Sequence, residues 1–487
     1  TKGFTVTVND STPDTKDRIE TVNEDGTLTI VLSDESFKDG KIEIDNGKDG
    51  YPTIAENGTV NIYDGNEVIG VLKNNANGTL TFKPNADYSK YEADNGYLPN
   101  FKYKVSDTDG DYAQGQINIH VKPVADGTTI KVENVTTYED NKNTQEGQNS
   151  VSLGLVQPTI KDNRDKNDTA KGDHGERVDY ITLKFTNGAS VKGAVLEKAD
   201  GTDIATISNN NQTFKIVIVK DDGSVDTDFH HSNITLGQSG VVYLTKEEYE
   251  GLKIQHAEDN DTDIVINILT KTYEVNDSGE PLSGVNSKSN NSNMTVVIKP
   301  VTDDISLKWN DESAVTISDS GKTYTFNDID EGNPTIDLKA LLTKTSGTET
   351  FNGSKADLDG SEKRTYIISD IPAGTVIILD GNSYTVQDGK TSIEIPFTSN
   401  TKADPTFTMK FPENYSGTVE GKITLSVIDK GNGTEHTNNN GTEKIGADGQ
   451  GEWGEVKTAE VNFKVNVTPV ADDATVKVGQ PVGYEDA

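Results

Sequence analysis

Three times along the chain, a run of alternating apolar residues stops at nearly the same four-residue phrase. Ile117, Ile119 and Val121 lead into Pro123-Val124-Ala125-Asp126. Met294, Val296 and Ile298 lead into Pro300-Val301-Thr302-Asp303, and Phe463, Val465 and Val467 lead into Pro469-Val470-Ala471-Asp472. Each time the apolar residues stand six, four and two positions before the proline. Period two is the spacing of a strand with one buried face. Proline ends the run because it has no N–H to give to a hydrogen-bond ladder. These are last strands followed by short, stiff linkers.

The segments after the linkers also open alike. Glu139 stands 13 residues after Asp126, within Tyr138-Glu139-Asp140, and Glu485 stands 13 after Asp472, within Tyr484-Glu485-Asp486. Asn23-Glu24-Asp25-Gly26 and Asp330-Glu331-Gly332 are their counterparts elsewhere. The repeat divides the chain at about 11–124, 127–301 and 304–470. Residues 1–10, with Phe4, Val6 and Val8, read as the tail of a preceding last strand or as a first strand. Residues 473–487 read as the start of a further repeat, and the whole as a piece of a longer protein.

Alternation bounded by Gly/Asn/Asp clusters, such as Asn77-Gly78 before Leu80 and Phe82, continues nearly everywhere. This predicts antiparallel strands and hairpins, an all-β class and most simply β-sandwiches. Two short helical candidates remain, Lys246 to Leu252 and Leu338 to Leu342. Short linkers predict an elongated, monomeric array.

Charge narrows the functions. Asp and Glu total 80 against 45 Lys and Arg, a formal charge of −35. Such a chain is repelled by nucleic acid and by anionic membranes, and suits cations. There is no cysteine, hence no disulfide and no thiolate site. No apolar run is long enough for a membrane-spanning helix, and the opening residues do not read as a secretory leader.

The acids cluster at strand ends. Asp107, Asp109 and Asp111 alternate just past one. Carboxylates so close repel by about 1 kcal/mol per pair at ~4 Å even in water. Their concentration makes sense if a hard cation takes six to eight oxygens. The same reasoning covers Asp357, Asp359 and Glu362, and the linker acids Asp126, Asp303 and Asp472 with Glu139, Asp140, Asp330 and Glu331. Asp45, Asp49, Gly50 and Glu56 fit an EF-hand spacing only loosely and read as an ordinary loop. His230-His231 point to opposite faces of a strand and make a poor chelate. His120 is out of phase with Ile119 and Val121 and reads as a surface residue. No nucleophile, zinc-protease or phosphate-loop motif appears, so no enzyme activity is assigned. Trp309 and Trp453 read as packing residues rather than a glycan platform.

Pro-Val-Ala-Asp after an alternating strand, followed by Tyr-Glu-Asp, resembles the immunoglobulin-like and cadherin-like extender repeats of large bacterial adhesins of the RTX type, exported by type I secretion. Asp357-Leu358-Asp359-Gly360-Ser361-Glu362 running into Ile371-Pro372-Ala373-Gly374-Thr375 resembles the core of that repeat. The first segment resembles its cadherin-like form, through Asn77 to Phe82, Tyr88-Ser89, Phe101 and Asp107 to Asp111. The resemblance implies an extracellular, cell-surface spacer supporting cell adhesion or biofilm formation. Ca²⁺ and the neighbouring repeats would be its partners. It also implies that Asp107 and Asp109 join Glu24 and the linker Asp126 in one interdomain Ca²⁺ site, with Asp25 a further candidate ligand. Low cytosolic Ca²⁺ would leave the chain pliable for export. The second segment departs from the pattern. Asp162, Asp165, Asp168, Asp173 and Glu176 lie in a stretched polar region, and Thr270 stands where the other segments have Asp107 and Asp429. The runner-up function is a glycan- or protein-binding module seated in the enlarged 127–301 segment.

Overall fold

The computed structural model describes residues 2–7, 13–32, 41–90, 101–138, 150–162, 175–226, 228, 237, 239–257, 260–276, 279–300, 302, 305–309, 315–318, 321–338, 340–344, 362–397, 407–429 and 456–480. The chain is all-β, a tandem series of β-sandwiches. Between residues 18 and 122, one sheet orders Arg18–Asn23, Tyr112–Lys122, Phe101–Ser106 and Lys41–Ile44. Its partner orders Leu28–Val31, Thr79–Pro84, Glu67–Asn74 and Thr59–Asp64. Alternation does what it promised: Ile117, Ile119 and Val121 are fully buried against Ile30, Ile44, Leu72 and Phe82. Burying an apolar side chain of this size stabilises by about 1.5–3 kcal/mol.

Between residues 128 and 299, a six-stranded sheet orders Val135–Tyr138, Lys288–Lys299, Ile264–Val275, Gly175–Phe185, Gln212–Val219 and Val241–Thr245. Four short strands, Ser150–Ser152, Lys253–Gln255, Val195–Glu197 and Asp203–Thr206, form a second sheet, and Thr159–Ile160 pairs with Thr128–Thr129. Between 305 and 468, six strands run in the order Val315–Ser318, Gly321–Asp330, Lys457–Thr468, Gly417–Asp429, Glu362–Ser369, Ser392–Phe397. Four more, Thr335–Asp337, Phe407–Lys410, Val376–Leu379 and Asn382–Thr385, make another sheet. Trp309 is core here, as its sequence context suggested, 5.0 Å from Tyr324 between ring centroids. By compactness the chain divides into two units. One holds Thr1–Val135, Val151–Ile254 and Ile264–Val296; the other holds Thr136–Ser150, Gln255–Asp263 and Val297–Ala487.

In the first and third sandwiches the opening strand pairs in parallel with the last one, Asn23 opposite Lys122 and Asp330 opposite Thr468. The structure bears out one of the two helical candidates and corrects three other local expectations. The helix at Lys246–Glu250 exists, held by a capping box between Thr245 and Glu248. The other helical candidate is instead a strand, Ala340–Lys344, because it pairs with Ile305–Trp309. His120 is not a surface residue. The chain at Lys90 bridges Val121, so the end of the last strand is flanked on both edges and His120 is 5% exposed. Residues 2–7 and 471–480 form no strand, and Phe4, Val476 and Val478 are exposed.

Candidate metal centre

Proline creates the first requirement of the site. Pro123 cannot donate, so the ladder between the opening and last strands ends at Lys122, whose carbonyl accepts from the Glu24 N–H at 3.0 Å. The next N–H, on Val124, is taken by the Glu24 carboxylate. The third sandwich repeats the device: the Glu331 N–H donates to the Thr468 carbonyl at 3.1 Å, and the Glu331 carboxylate accepts from the Val470 N–H at 2.6 Å. Glu24 and Glu331 thus each clamp the Pro-Val exit of their own sandwich.

At the first junction other acids converge on that clamp. Glu24 is 2% exposed and Asp25 follows it. Asp87 arrives on the loop that Lys90 ties to Val121 through two backbone hydrogen bonds of 2.8 and 2.9 Å. Asp126 comes from the linker. Asp162, 2% exposed, comes from the second sandwich, brought there by the pairing of Thr159–Ile160 with Thr128–Thr129 and by the Lys161 N–H bonding the Gly127 carbonyl. Behind it, Glu176 accepts from the Gly127 N–H at 2.7 Å.

Their titration reflects this crowding. Burial, then the charges of Asp162, Asp25 and Asp126, push Glu24 up to about 9, although the Val124 hydrogen bond pulls the other way. Burial and the same three neighbours push Asp87 up to about 6. Asp87 and Asp126 lie close enough for one to hydrogen-bond the other, and Asp126 is itself raised, by burial and by Asp25 and Asp162. Burial pushes Glu176 up to about 7, against the hydrogen bonds from Thr272 and Gly127. Lys161 opposes the rise at Asp126 without cancelling it. Carboxyls are driven to hold protons when no positive charge sits among them. The acids are all-oxygen donors of the kind a hard divalent cation takes, but among the described residues only Asp107, Asp109 and Asp111 already bring three ligand atoms within 4.8 Å of one another.

The expected grouping needs correction. Asp107, Asp109 and Asp111 do lie together, with ligand atoms within 4.8 Å of one another. They occupy the turn between Phe101–Ser106 and Tyr112–Lys122, where the Asp107 carboxylate accepts from the N–H groups of Gly110 and Asp111. Glu24 bonds the far end of that eleven-residue strand. At ~3.4 Å per residue the two groups are more than roughly 30 Å apart, so Asp107 and Asp109 do not join Glu24 and Asp126. Asp330 accepts from its own turn at Asn333, and Asp472 is exposed. Glu139, Asp140, Asp303, Asp357 and Asp359 lie outside the described residues, as does the side chain of Glu362. Asp45 and Asp49 are tied into their own loop by Gly47 and Asn46, which supports the loop reading.

Sequence reasoning missed Asp87 as a member and passed over Asp162 and Glu176. Thr270 also differs from its supposed counterparts. It lies inside the strand Ile264–Val275, buried, with its hydroxyl 2.6 Å from that of Thr128.

Gly127 is the turn that makes the convergence possible. Its φ is +86°, and an added Cβ would stand 1.9 Å from the Asn290 side-chain oxygen that accepts the Thr128 N–H. Gly127→Ala is expected to destabilise by about 2–4 kcal/mol, through left-handed strain and loss of that contact. A thermal melt of the variant measures it, and an unchanged midpoint would refute the role given to this turn.

Residues 9–120 match the bacterial Ig domain family. No curated protein matches the chain. Among solved structures, mouse cadherin-23 EC22-24 is similar at 11% identity and a TM-score of 0.27, covering 93% of this chain and 96% of that one. Protocadherin gamma B2 extracellular cadherin domains 3-6 is similar at 11% identity and a TM-score of 0.28, covering 92% and 80%. Human CDH23 EC21-23 is similar at 10% identity and a TM-score of 0.24, covering 91% and 96%.

Proposed function

We propose that this chain is a non-enzymatic spacer from an extracellular bacterial surface adhesin of the RTX type, stiffened by Ca²⁺ and supporting cell adhesion or biofilm formation. Its segments, 11–124, 127–301 and 304–470, act as successive repeats. The match of residues 9–120 to a bacterial Ig domain supports an extracellular repeat. The carrying observation is the convergence of Glu24, Asp25, Asp87, Asp126 and Asp162 on one linker, with Glu24 and Asp162 each 2% exposed. Those five residues are the candidate ligands, and because no three of them have carboxylate oxygens within 4.8 Å of one another they would have to close in on the cation. Bound Ca²⁺ supplies the positive charge that lets them remain ionised side by side. The chain's own contribution is to bring acids from both sandwiches onto the linker, so that holding the cation also restricts the hinge. Glu331 with Asp330 and Asp472, and the Asp107–Asp111 turn, are further candidate positions.

Ca²⁺ that binds the folded state stabilises it by RT ln(1 + [L]/Kd). At ~5 mM Ca²⁺ and a Kd near ~10⁻⁴ M, one site contributes about 2.3 kcal/mol. Melts in Ca²⁺ and in EDTA should therefore differ by several degrees. Asp126→Ala should shrink that difference while leaving the melt in EDTA near wild type, because a linker acid covers little apolar surface. Paired spin labels at Thr21 and Lys215 should show a broader distance distribution in the variant than in wild type, both in Ca²⁺. Coincident melts and coincident distributions would remove the calcium reading.

A further inference from the structure

The outward face of the six-stranded sheet in the second sandwich has a chemistry unlike that of an ordinary solvated face. In the third sandwich the outward lysines are matched with acids across strands, Lys464 to Glu420 at 2.7 Å and Lys422 to Glu460 at 3.2 Å. In the second sandwich two outward lysines rest on rings instead. The Lys215 ammonium lies 4.6 Å from the centre of the Tyr180 ring, and that of Lys271 lies 4.8 Å from the centre of Tyr273. Among the described residues, neither lysine pairs with a carboxylate.

A β-bulge sets this face up. The register shifts between Val178, opposite Thr272, and Ile181, opposite Thr270. Asp179 and Tyr180 together therefore oppose Lys271, so Val178 and Ile181 both point inward and Tyr180 is delivered outward. Val217 lies in the outward phase opposite Tyr243, yet it is fully buried, covered on what is nominally a solvent face. The Tyr180 hydroxyl lies within electrostatic range of those of Tyr243 and Tyr273. Three tyrosines and two ring-seated ammonium groups thus spread across four adjacent strands, a width of roughly 15 Å at ~4.8 Å per strand. Arg177, paired with Asp228 at 3.3 Å, marks its margin, and Asp179, next to Tyr180 and opposite Lys271, adds one carboxylate to it.

We propose that this face is a binding platform for an anionic polysaccharide. A sugar ring lays its C–H face on a tyrosine, whose ring face is electron-rich, while a uronate carboxylate takes a lysine ammonium. An exposed cation–π contact is weak enough to be exchanged for that ion pair. The chain's formal charge of −35 opposes a polyanion at long range, so recognition here rests on the local lysine and tyrosine contacts. An acidic peptide would use the lysines and leave the three-tyrosine surface unexplained. The inference does not depend on the calcium reading: calcium-dependent melting without saccharide binding would leave that reading intact.

The test is calorimetric titration of the full chain, in millimolar Ca²⁺, with hyaluronate oligosaccharides, with neutral dextran oligosaccharides of similar length and with polyglutamate. Hyaluronate should bind, dextran should not, and polyglutamate should bind at least about tenfold more weakly. Lys215→Ser and Lys271→Ser should each weaken hyaluronate about tenfold, the loss of one charge-assisted contact, as should Tyr243→Ala. Lys464→Ser, on the third sandwich, should have no effect. If Tyr243→Ala alters the melt, the two lysine variants carry the test, since their ammonium groups lie outside the core. Absent hyaluronate binding, binding indifferent to Lys215 and Lys271, or equally tight binding of polyglutamate would each overturn the proposal.

Discussion

Calcium affinity measured at pH 5, 6, 7 and 8 should climb by about tenfold per pH unit for each proton that the cation displaces. The reason lies in the acids of the first junction. Glu24 is pushed up to about 9, Glu176 to about 7 and Asp87 to about 6, all above the ordinary carboxyl range. Without a cation, the folded protein therefore holds protons that the unfolded chain has already released. A raised carboxyl contributes stability that is fully present below its unfolded value, near 4, and that is lost as pH rises through the folded value. The melting point in EDTA should thus fall steadily between about pH 5 and pH 9. In saturating Ca²⁺ Glu24 and Asp87 are held ionised, and that decline should flatten. The gap between the two melting curves should widen with pH. Parallel curves across this range, or an affinity independent of pH, would show that the buried acids are not the ligands.

How much of this was legible depends on how local each feature is. The alternation of Ile117, Ile119 and Val121 and the proline behind them encode a strand and its end within eight residues, and the structure buries those three. Repeated spacing marked Glu24 and Glu331 as counterparts, but the clamp each makes on its own Pro-Val exit is visible only in the structure. Asp87 and Asp162 were not legible as partners. Their approach depends on the Lys90–Val121 bridge and on two-residue strands at Thr128 and Thr159, contacts too short to leave a periodic signal. The misplacement of Asp107 has the same origin: a strand end is visible in sequence, but which end of the sandwich it reaches is a matter of topology. Tyr180 is a further case, because a bulge reverses the facing that strict alternation would assign.

Glu24→Gln should separate the structural use of Glu24 from its use as a ligand, with effects of opposite sign. The amide keeps a carbonyl oxygen that can accept from Val124, so the clamp on the linker can persist. It carries no charge and needs no proton, so the cost of protonating a buried carboxyl at neutral pH disappears. From an ordinary value of 4.5 to pH 7 that cost is roughly 3 kcal/mol at 1.36 kcal/mol per unit, and some of it is shared with Asp162, Asp25 and Asp126. In EDTA at pH 7 the variant should therefore melt higher than wild type, and its melting point should fall less steeply with pH. In Ca²⁺ the order should invert, because an amide oxygen is a weaker ligand than a carboxylate and the cluster loses one of its five charges. Glu24→Ala serves as the contrast. It should lower the melt in both conditions, because the Val124 N–H loses its acceptor. A Gln variant less stable than wild type in EDTA would mean that Glu24 is ionised in the cation-free fold. The positive charge balancing it would then have to come from the protein, and the site would have no need of calcium.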